Sequence, residues 1–546
     1  MKSIASFVGA TALLVAKSAI AHPTLGQNNA VYLSVPDTAA GASIAHSISF
    51  SSFSFEPAFW VEFFGNASTP NNLTFSLLDL IKQHGGQPLI RPGGDTMDSM
   101  IFNASAGNPV RDVSSTGGVY RTTVGPAYYE SWSNFPNGTR FVSTLNFQND
   151  SLDIALGLAV ASVKYQPKLV EYFELGNEPT NYNTSRWDNS TAAYVAQWKD
   201  WTHSIDAAVN QTLGPNDTLP GERWWASSAT TDDSGLNVRP VDIIPAGVDS
   251  NDQVAEYSIH SYPFSTCDPT RAALATIENI LNHTGLVAYA DDEIYPSAKA
   301  ALDSGSRWVI GEFNSISCSG NPNVSDTFAQ ALWAIDSELI YAVRNASSCH
   351  LHQGATLAFQ SSDQVNTAGA NGTPGFSTYD MVYPVNSSLR GEARVLPSFA
   401  GQLFLAEAFA TNGSRIQALS TPEGVDADYF AVYAFYDDDS LSKLAIVNMK
   451  PYYANSTSDF TVNIDLSACK SGGNSGIEQQ AYVKRLTAPH VNEKDAANVT
   501  WAGQSFTDGS TTGQLNIETV PSGGIISVRG SEAVLIFFNK AEVRGF

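Results

Sequence analysis

From about residue 48 to 360, short apolar runs alternate with longer amphipathic stretches. The runs predict strands at 48–56, 88–91, 140–147, 169–178, 223–230, 256–262, 307–314 and 354–360. Between most of them the apolar positions recur at helical spacing. NLTFSLLDLIKQHGG is one such pattern and stops on Gly85-Gly86. SLDIALGLAVASVKYQP starts on Ser151, a helix-capping type, and stops before Pro167. DTFAQALWAIDSELIYAVRN is a third, long and amphipathic. Eight strands with helical returns predict an α/β fold, a (β/α)8 TIM barrel over residues 48–408. A doubly wound open sheet competes, but no glycine-rich phosphate loop follows the first strand.

After about residue 400 the pattern changes. PSFAGQLFLAEAFA reads as the last barrel helix. DADYFAVYAFYD, SKLAIVNM, DFTVNIDL, QAYVKRLTA and GIISVRGSEAVLIFF then read as strands separated by turn residues. With no helix between them, they predict a C-terminal antiparallel β-sandwich over 409–546. Residues 22–47, with NAVYLSVP, are expected to add an edge strand to that sandwich. No repeat or low-complexity linker separates the domains, so a firm interface is expected.

Composition narrows the setting. The chain has 546 residues, 43% hydrophobic and 11% aromatic, which suits a globular protein of two domains. Residues 1–21 read as a secretory signal: Lys2, an apolar run over 4–16, and an A-x-A site at Ala19-Ile20-Ala21. No other apolar run is long enough to cross a bilayer, so the mature protein is expected to be soluble and secreted, without a membrane partner. About seventeen N-x-S/T sequons, among them Asn66, Asn72, Asn137, Asn183, Asn345 and Asn455, agree with a secreted glycoprotein. A net charge of -24 argues against nucleic acid, and it sets a repulsive field against any anionic substrate. Four cysteines, Cys267, Cys318, Cys349 and Cys469, allow three disulfide pairings. A zinc site is the weaker reading, since no His/Cys cluster supports it.

In such a barrel the chemistry lies at the C-terminal ends of the strands. There the sequence places Glu56 after strand one and Arg91 with Pro92-Gly93-Gly94-Asp95 after strand two. Strand four ends on Asn177-Glu178-Pro179, strand six on His260-Ser261-Tyr262, and strand seven on Glu312. Glu178 and Glu312 would face each other across the barrel mouth. A carboxylic acid and a carboxylate flanking one bond are what glycoside hydrolysis needs, about 5 to 5.5 Å apart if the configuration is retained. The bland alternative makes both glutamates salt-bridge partners of barrel-end arginines. Phe59, Trp60, Phe63, Phe64, Tyr128, Tyr129 and Trp132 read mostly as core, with one or two expected to stack on sugar. Cys267 and Cys318 follow strands six and seven in neighbouring loops, where a bridge would stiffen the wall. That leaves Cys349 with Cys469, and Cys318 with Cys349 stays open as an alternative.

N-E-P after strand four and G-E after strand seven resemble the retaining (β/α)8 glycosidases with a four/seven catalytic pair. FSFEPAFWVEFFGN, LIRPGGDT, ELGNEP, SIHSYPFS and VIGEFNS together resemble glycoside hydrolase family 79, the β-glucuronidases and heparanases, in its secreted fungal branch. The resemblance spans nearly the whole mature chain. It implies a retaining exo-β-glycosidase that removes terminal (4-O-methyl-)glucuronate from glycans; because two carboxylates do the chemistry, no metal or organic cofactor is expected, and a monomer is expected. It implies Glu178 as acid/base, Glu312 as nucleophile, Asn177 at the sugar 2-hydroxyl, and Tyr262 beside Glu312. Glu56 and Asp95 match positions that touch the non-reducing sugar. Arg91 either supports Glu312 or braces the barrel floor. His260 either joins the site or packs behind it.

One departure stands out. The family uses a tyrosine five residues after the nucleophile to hold the glucuronate carboxylate, and here that position is Ser317. Backbone amides of 317–320 are expected to substitute as an anion nest. A second tyrosine, from the loop after strand eight, is either Tyr379 or Tyr383. A β-glucosidase-like or disaccharide-releasing enzyme is the runner-up, and a non-catalytic carbohydrate-binding wall protein is the alternative of another class.

Overall fold

The computed structural model describes residues 30–113, 119–231, 235–355, 375–467, 469, 480–521 and 523–544. The signal segment 1–21 and residues 22–29 lie outside them. The centre of the fold is a closed barrel of eight parallel strands. In chain order they are β1 (Ser51–Phe55), β2 (Ile90–Arg91), β3 (Phe141–Leu145), β4 (Val170–Leu175), β5 (Trp224–Ala229), β6 (Val254–Ser261), β7 (Arg307–Phe313) and β8 (Cys349–Gln353). Each pairs with the next, and β8 closes on β1 with Cys349 opposite Ser51 and Gln353 opposite Phe55. The strands are buried on both faces, inward by the barrel filling and outward by the helices, so they read as near-continuous runs.

The eighth strand corrects the sequence reading. It is CHLHQ, not the apolar run at 354–360, of which only Gly354 and Ala355 fall in the described residues. Its five residues are all buried. His350 and His352 point polar groups among buried partners, Ser348 for one and Ser54 for the other, so a buried strand carries a polar composition. Hydrophobic patterning passes over such a segment.

Helices Asn72–Gln83, Leu152–Tyr165 and Thr191–Thr212 cover the barrel. Asn71 caps the first of them by accepting from the amides of Leu73 and Thr74. Helices Phe328–Ala342 and Ser398–Ala408 are buried on every side. The reason is the second domain, which covers them.

That domain is a pair of sheets. The larger is antiparallel, in the order Arg415–Leu419, Phe430–Asp437, Ser440–Asn448, Glu532–Phe537, Gln480–Thr487, Thr500–Trp501, with Glu518–Pro521 also on Gln480–Thr487. The smaller joins Val31–Tyr32 to Val462–Asp465 and Ile525–Val528. Strand alternation divides the larger sheet's side chains between two cores. Phe430, Val432, Ala434 and Tyr436 pack between the sheets. Ala431, Tyr433 and Phe435 pack into the barrel-side core. Polar contacts pin the seam. Lys484 Nζ reaches both carboxylate oxygens of Glu407 at 2.9 Å, and Tyr433 Oη donates to Asp336 at 2.7 Å.

The cysteines split as the loops suggested for one pair. Cys267 and Cys318 form a disulfide with Cα atoms 5.9 Å apart. The Cys349–Cys469 bridge, and with it the Cys318–Cys349 alternative, is overturned: both remaining thiols are free and buried. Cys349 belongs to the barrel-side core and Cys469 to the core between the sheets, so their side chains never meet.

Candidate active site

A cleft of about 350 Å³ opens at the C-terminal ends of the barrel strands. It is lined by Glu56, Asp95, Asn177, Glu178, Tyr262, Glu312, Ser317 and Tyr379, together with His352 and the bridged Cys267 and Cys318. The described lining carries no Lys or Arg. Arg91 and His260 sit behind it, fully buried.

The turn after β4 builds one side. Gly176 turns the chain at φ 85, where an added Cβ would lie 2.8 Å from Tyr182 Oη and 3.0 Å from Phe147 Cβ. Glu178 then adopts a left-handed conformation at φ 47, unusual for a side chain with a Cβ and costly by roughly 1–3 kcal/mol. Its amide is held by the Ser228 carbonyl at 2.9 Å, and Pro179 fixes the exit. The carboxylate meets His260 Nδ1 at 3.1 Å and accepts from Asn181 Nδ2 at 3.0 Å.

Glu312, near the end of β7, is held differently. Tyr262 Oη donates to Oε1 at 2.7 Å, and Arg91 Nη1 donates to Oε2 at 2.8 Å. Burial alone would raise this carboxyl. His352, His260, Arg91 and the Tyr262 hydroxyl outweigh it and hold the group down at about 2. His260 is itself lowered to about 4, chiefly by burial, and is neutral above that pH. In mildly acid solution the anion therefore rests on His352, Arg91 and Tyr262.

Arg91 does more than brace the floor. Besides Glu312 it donates to Glu174 at 2.6 Å, to Ser54 at 2.9 Å and to Asn177 Oδ1 at 2.9 Å. With that oxygen occupied, the Asn177 amide group faces Asp95 at 3.2 Å. Gly93 is required above the guanidinium, since a Cβ there would lie 2.5 Å from Arg91 Cζ.

Glu56 anchors the loop after β2 by accepting from the amides of Asp95 at 3.0 Å and Thr96 at 3.1 Å. Asp95 is pushed well above the ordinary carboxyl range by burial and by Glu178, Glu56 and Glu312, so it holds a proton in mildly acid solution.

Other placements refine the sequence reading. Tyr379 reaches the cleft, whereas Tyr383 stacks on Phe376 with Arg394 over its ring. The expected amide nest is narrower than 317–320, because the Gly320 amide donates to the Ile316 carbonyl at 3.1 Å. The early aromatics Phe59, Trp60, Phe63, Phe64, Tyr128, Tyr129 and Trp132 are all buried and none lines the cleft, so none is a sugar platform here. They form one core instead, with Trp132 stacked on Phe141 at 4.2 Å.

Three groups escaped sequence reasoning. His352 was lost with the misplaced eighth strand. Asp98 ties together the turns after β3 and β4, accepting from the amides of Phe147 and Asn177 at 3.0 Å and from the Tyr182 hydroxyl. Glu174 accepts from Arg91 and from Ser228 inside the barrel. An acidic residue flanked by apolar ones, as in YFEL, is the available signal for the last.

One oxygen each of Glu178 and Glu312 and one ring nitrogen of His260 lie within 4.8 Å of one another. So close an approach suits a carboxylate pair that acts directly on one anomeric carbon. The same three groups could ligate a cation, but the Arg91 guanidinium already neutralises Glu312.

Comparison with known proteins points to the glycoside hydrolases. Residues 432–535 match the glycosyl hydrolase family 79 C-terminal beta domain, and residues 156–349 match cellulase, glycosyl hydrolase family 5. The chain is 29% identical over 560 residues to a beta-glucuronidase of Aspergillus niger, covering 95% of each. It is 26% identical over 541 residues to one of Neurospora crassa, covering 88% of each. Among solved structures, a 4-O-alpha-L-rhamnosyl-beta-D-glucuronidase from Fusarium oxysporum superposes with a TM-score of 0.73 at 21% identity, over 93% of this chain and 100% of that one. A family 51 alpha-L-arabinofuranosidase of Bifidobacterium longum shares the fold at a TM-score of 0.57 and 15% identity, over 93% and 99%. The family 79 resemblance of the motifs and the barrel-plus-sheet architecture are borne out.

Proposed function

We propose that this glycoside hydrolase is a secreted, retaining exo-β-glucuronidase acting on terminal glucuronate, or its 4-O-methyl form, in glycans. The observation that carries the reaction is the pairing of Glu178 and Glu312, with oxygens within 4.8 Å and unequal surroundings. Glu312, held anionic by Arg91, Tyr262 and His352, attacks the anomeric carbon. Glu178 gives its proton to the departing glycosidic oxygen, and a glycosyl ester on Glu312 results. Glu178, now a carboxylate, takes a proton from water as that water attacks the same carbon. The ester bond breaks, Glu312 leaves as the anion, and the product keeps the β configuration. His260 Nδ1 is placed to accompany the proton changes of Glu178. Asn177 Nδ2 is the donor for the 2-hydroxyl, a contact that strengthens as charge develops. Glu56 fixes the Asp95 loop, and Asp95 is the donor for a ring hydroxyl.

The choice of glucuronate rests on the names of the two fungal relatives. Ser317 and Tyr379, which line the cleft, are the neutral donors assigned to the glucuronate carboxylate, and His352 lines the same cleft. Export is supported by the N-terminal signal pattern and the sequons. No helix among the described residues is long and apolar enough to cross a membrane. The test is turnover of p-nitrophenyl β-glucuronide, β-glucoside and β-xyloside near pH ~4 to 5, where one carboxyl is ionised and a raised partner is not, with the anomer followed by proton NMR. Preference for the glucuronide with β product first is expected. Preference for a neutral glycoside would establish the runner-up specificity, and initial α product would overturn the retaining mechanism.

A further inference from the structure

His352 belongs to none of the motifs, yet it lines the cleft between two carboxylates. Its Nδ1 lies 3.7 Å from Glu312 Oε2 and its Nε2 lies 3.7 Å from Glu56 Oε1. The ring sits in a slot made by two glycines. A Cβ on Gly94 would lie 2.9 Å from its Cε1, and one on Gly354 would lie 2.8 Å from its Nε2. Neither approach leaves room for a side chain, and at Gly94 the Glu56 carboxylate is nearer still, with its Cδ 2.5 Å from such a Cβ.

Its polar neighbours bear on its protonation. Ser54 Oγ lies 3.2 Å from Nδ1. That hydroxyl spends its one proton on the Gly93 carbonyl and accepts from Arg91. In that arrangement Ser54 accepts from His352, and Nδ1 is the nitrogen that carries a proton. On the other side Nε2 faces Glu56, whose two oxygens accept from the amides of Asp95 and Thr96. A carboxylate thus lies 3.7 Å from each ring nitrogen, an arrangement that favours the imidazolium.

We propose that His352 is a positioning residue of the double displacement: an imidazolium that keeps Glu312 ionised and ties it to the Glu56-anchored Asp95 loop. This rests on the reading of Glu312 as nucleophile. The other charged or titratable groups around it are Arg91 from β2, Asp95 from the following loop, His260 from β6 and Tyr379 from the segment after β8. Arg91 and the burial of the ring oppose its charge. Glu312 and Glu56 prevail and raise it above the usual 6.5.

The experiment is the pH profile of kcat/KM for His352→Gln on the best p-nitrophenyl glycoside of the panel. The acid limb should move up by about one pH unit, with kcat near pH ~4 reduced about tenfold and KM little changed. A loss of activity with the acid limb unmoved, or an unchanged profile, overturns the proposal. Should the variant fail to fold, imidazole NMR titrations of the wild type and Glu312→Gln decide. One ring titrating above 6.5 should fall in Glu312→Gln, because the coupling is reciprocal; no responding ring overturns it. Failure of the nucleophile reading is seen separately, as full turnover by Glu312→Gln.

Discussion

Tyr262 and Glu312 share a 2.7 Å hydrogen bond in which the phenol donates to the carboxylate oxygen that Arg91 leaves free. The hydroxyl stabilises the anion and not the ester that replaces it. Tyr262→Phe should therefore lower kcat roughly 10- to 100-fold, the value of a hydrogen bond to a charged group. The acid limb should also rise. Steady-state kinetics across pH check both, and an unchanged acid limb would remove Tyr262 from this role.

Glu178 is needed in proportion to the basicity of the leaving group. Glu178→Gln should slow hydrolysis of alkyl or sugar aglycones by about 10²- to 10⁴-fold, and that of nitrophenyl glycosides far less. A linear free-energy plot over substituted phenols should become steep in the variant. Equal losses on all aglycones would contradict the assignment. Glu312→Gln, in contrast, should abolish turnover of every one.

The domain seam carries a buried charge pair. Lys484, 1% exposed, reaches a Glu407 carboxylate that is fully buried and also accepts from Trp501 Nε1 at 2.9 Å and from His84. Lys484→Met leaves that anion short of a partner and should cost about 3–5 kcal/mol. Urea unfolding of the purified variant measures it. Activity at low temperature should survive, since no cleft residue is touched.

His283 meets Asp336 at 2.9 Å, on the carboxylate that also accepts from Tyr433 across the seam. Burial opposes the imidazolium, but Asp336 raises it above 6.5. A raised folded value means the contribution is complete below 6.5 and is lost as pH climbs through the folded value. In that window stability should fall by up to about 1.4 kcal/mol per pH unit for this one proton. His283→Gln should be less stable than wild type in acid, and the two should converge at alkaline pH. Melting curves from acid to alkaline pH test this; a constant gap would show that the proton plays no part.

Where the barrel was legible, two-sided burial made it so. In β5, WWASSA offers no polar side chain larger than serine, and β7 presents six buried residues after Arg307. Glu178 and Glu312 were legible because each is a carboxylate at or just past the end of such a run. CHLHQ was not, because its polarity is satisfied by partners from distant strands, Ser54 among them. The free thiols defeated counting for a similar reason: which core a cysteine enters depends on packing that spacing does not encode. The aromatics after the early strands looked available for sugar, yet they meet one another and leave no face open.

Strand Glu532–Phe537 lies in the middle of the larger sheet, between Ser440–Asn448 and Gln480–Thr487. Leu535 and Phe537 belong to the barrel-side core. During synthesis, the barrel thus emerges with helices Phe328–Ala342 and Ser398–Ala408 uncovered, and their cover is complete only after residue 537 has left the ribosome. The nascent chain holds a sticky surface over the whole of that interval. Its yield in any host will depend on how well that interval is chaperoned.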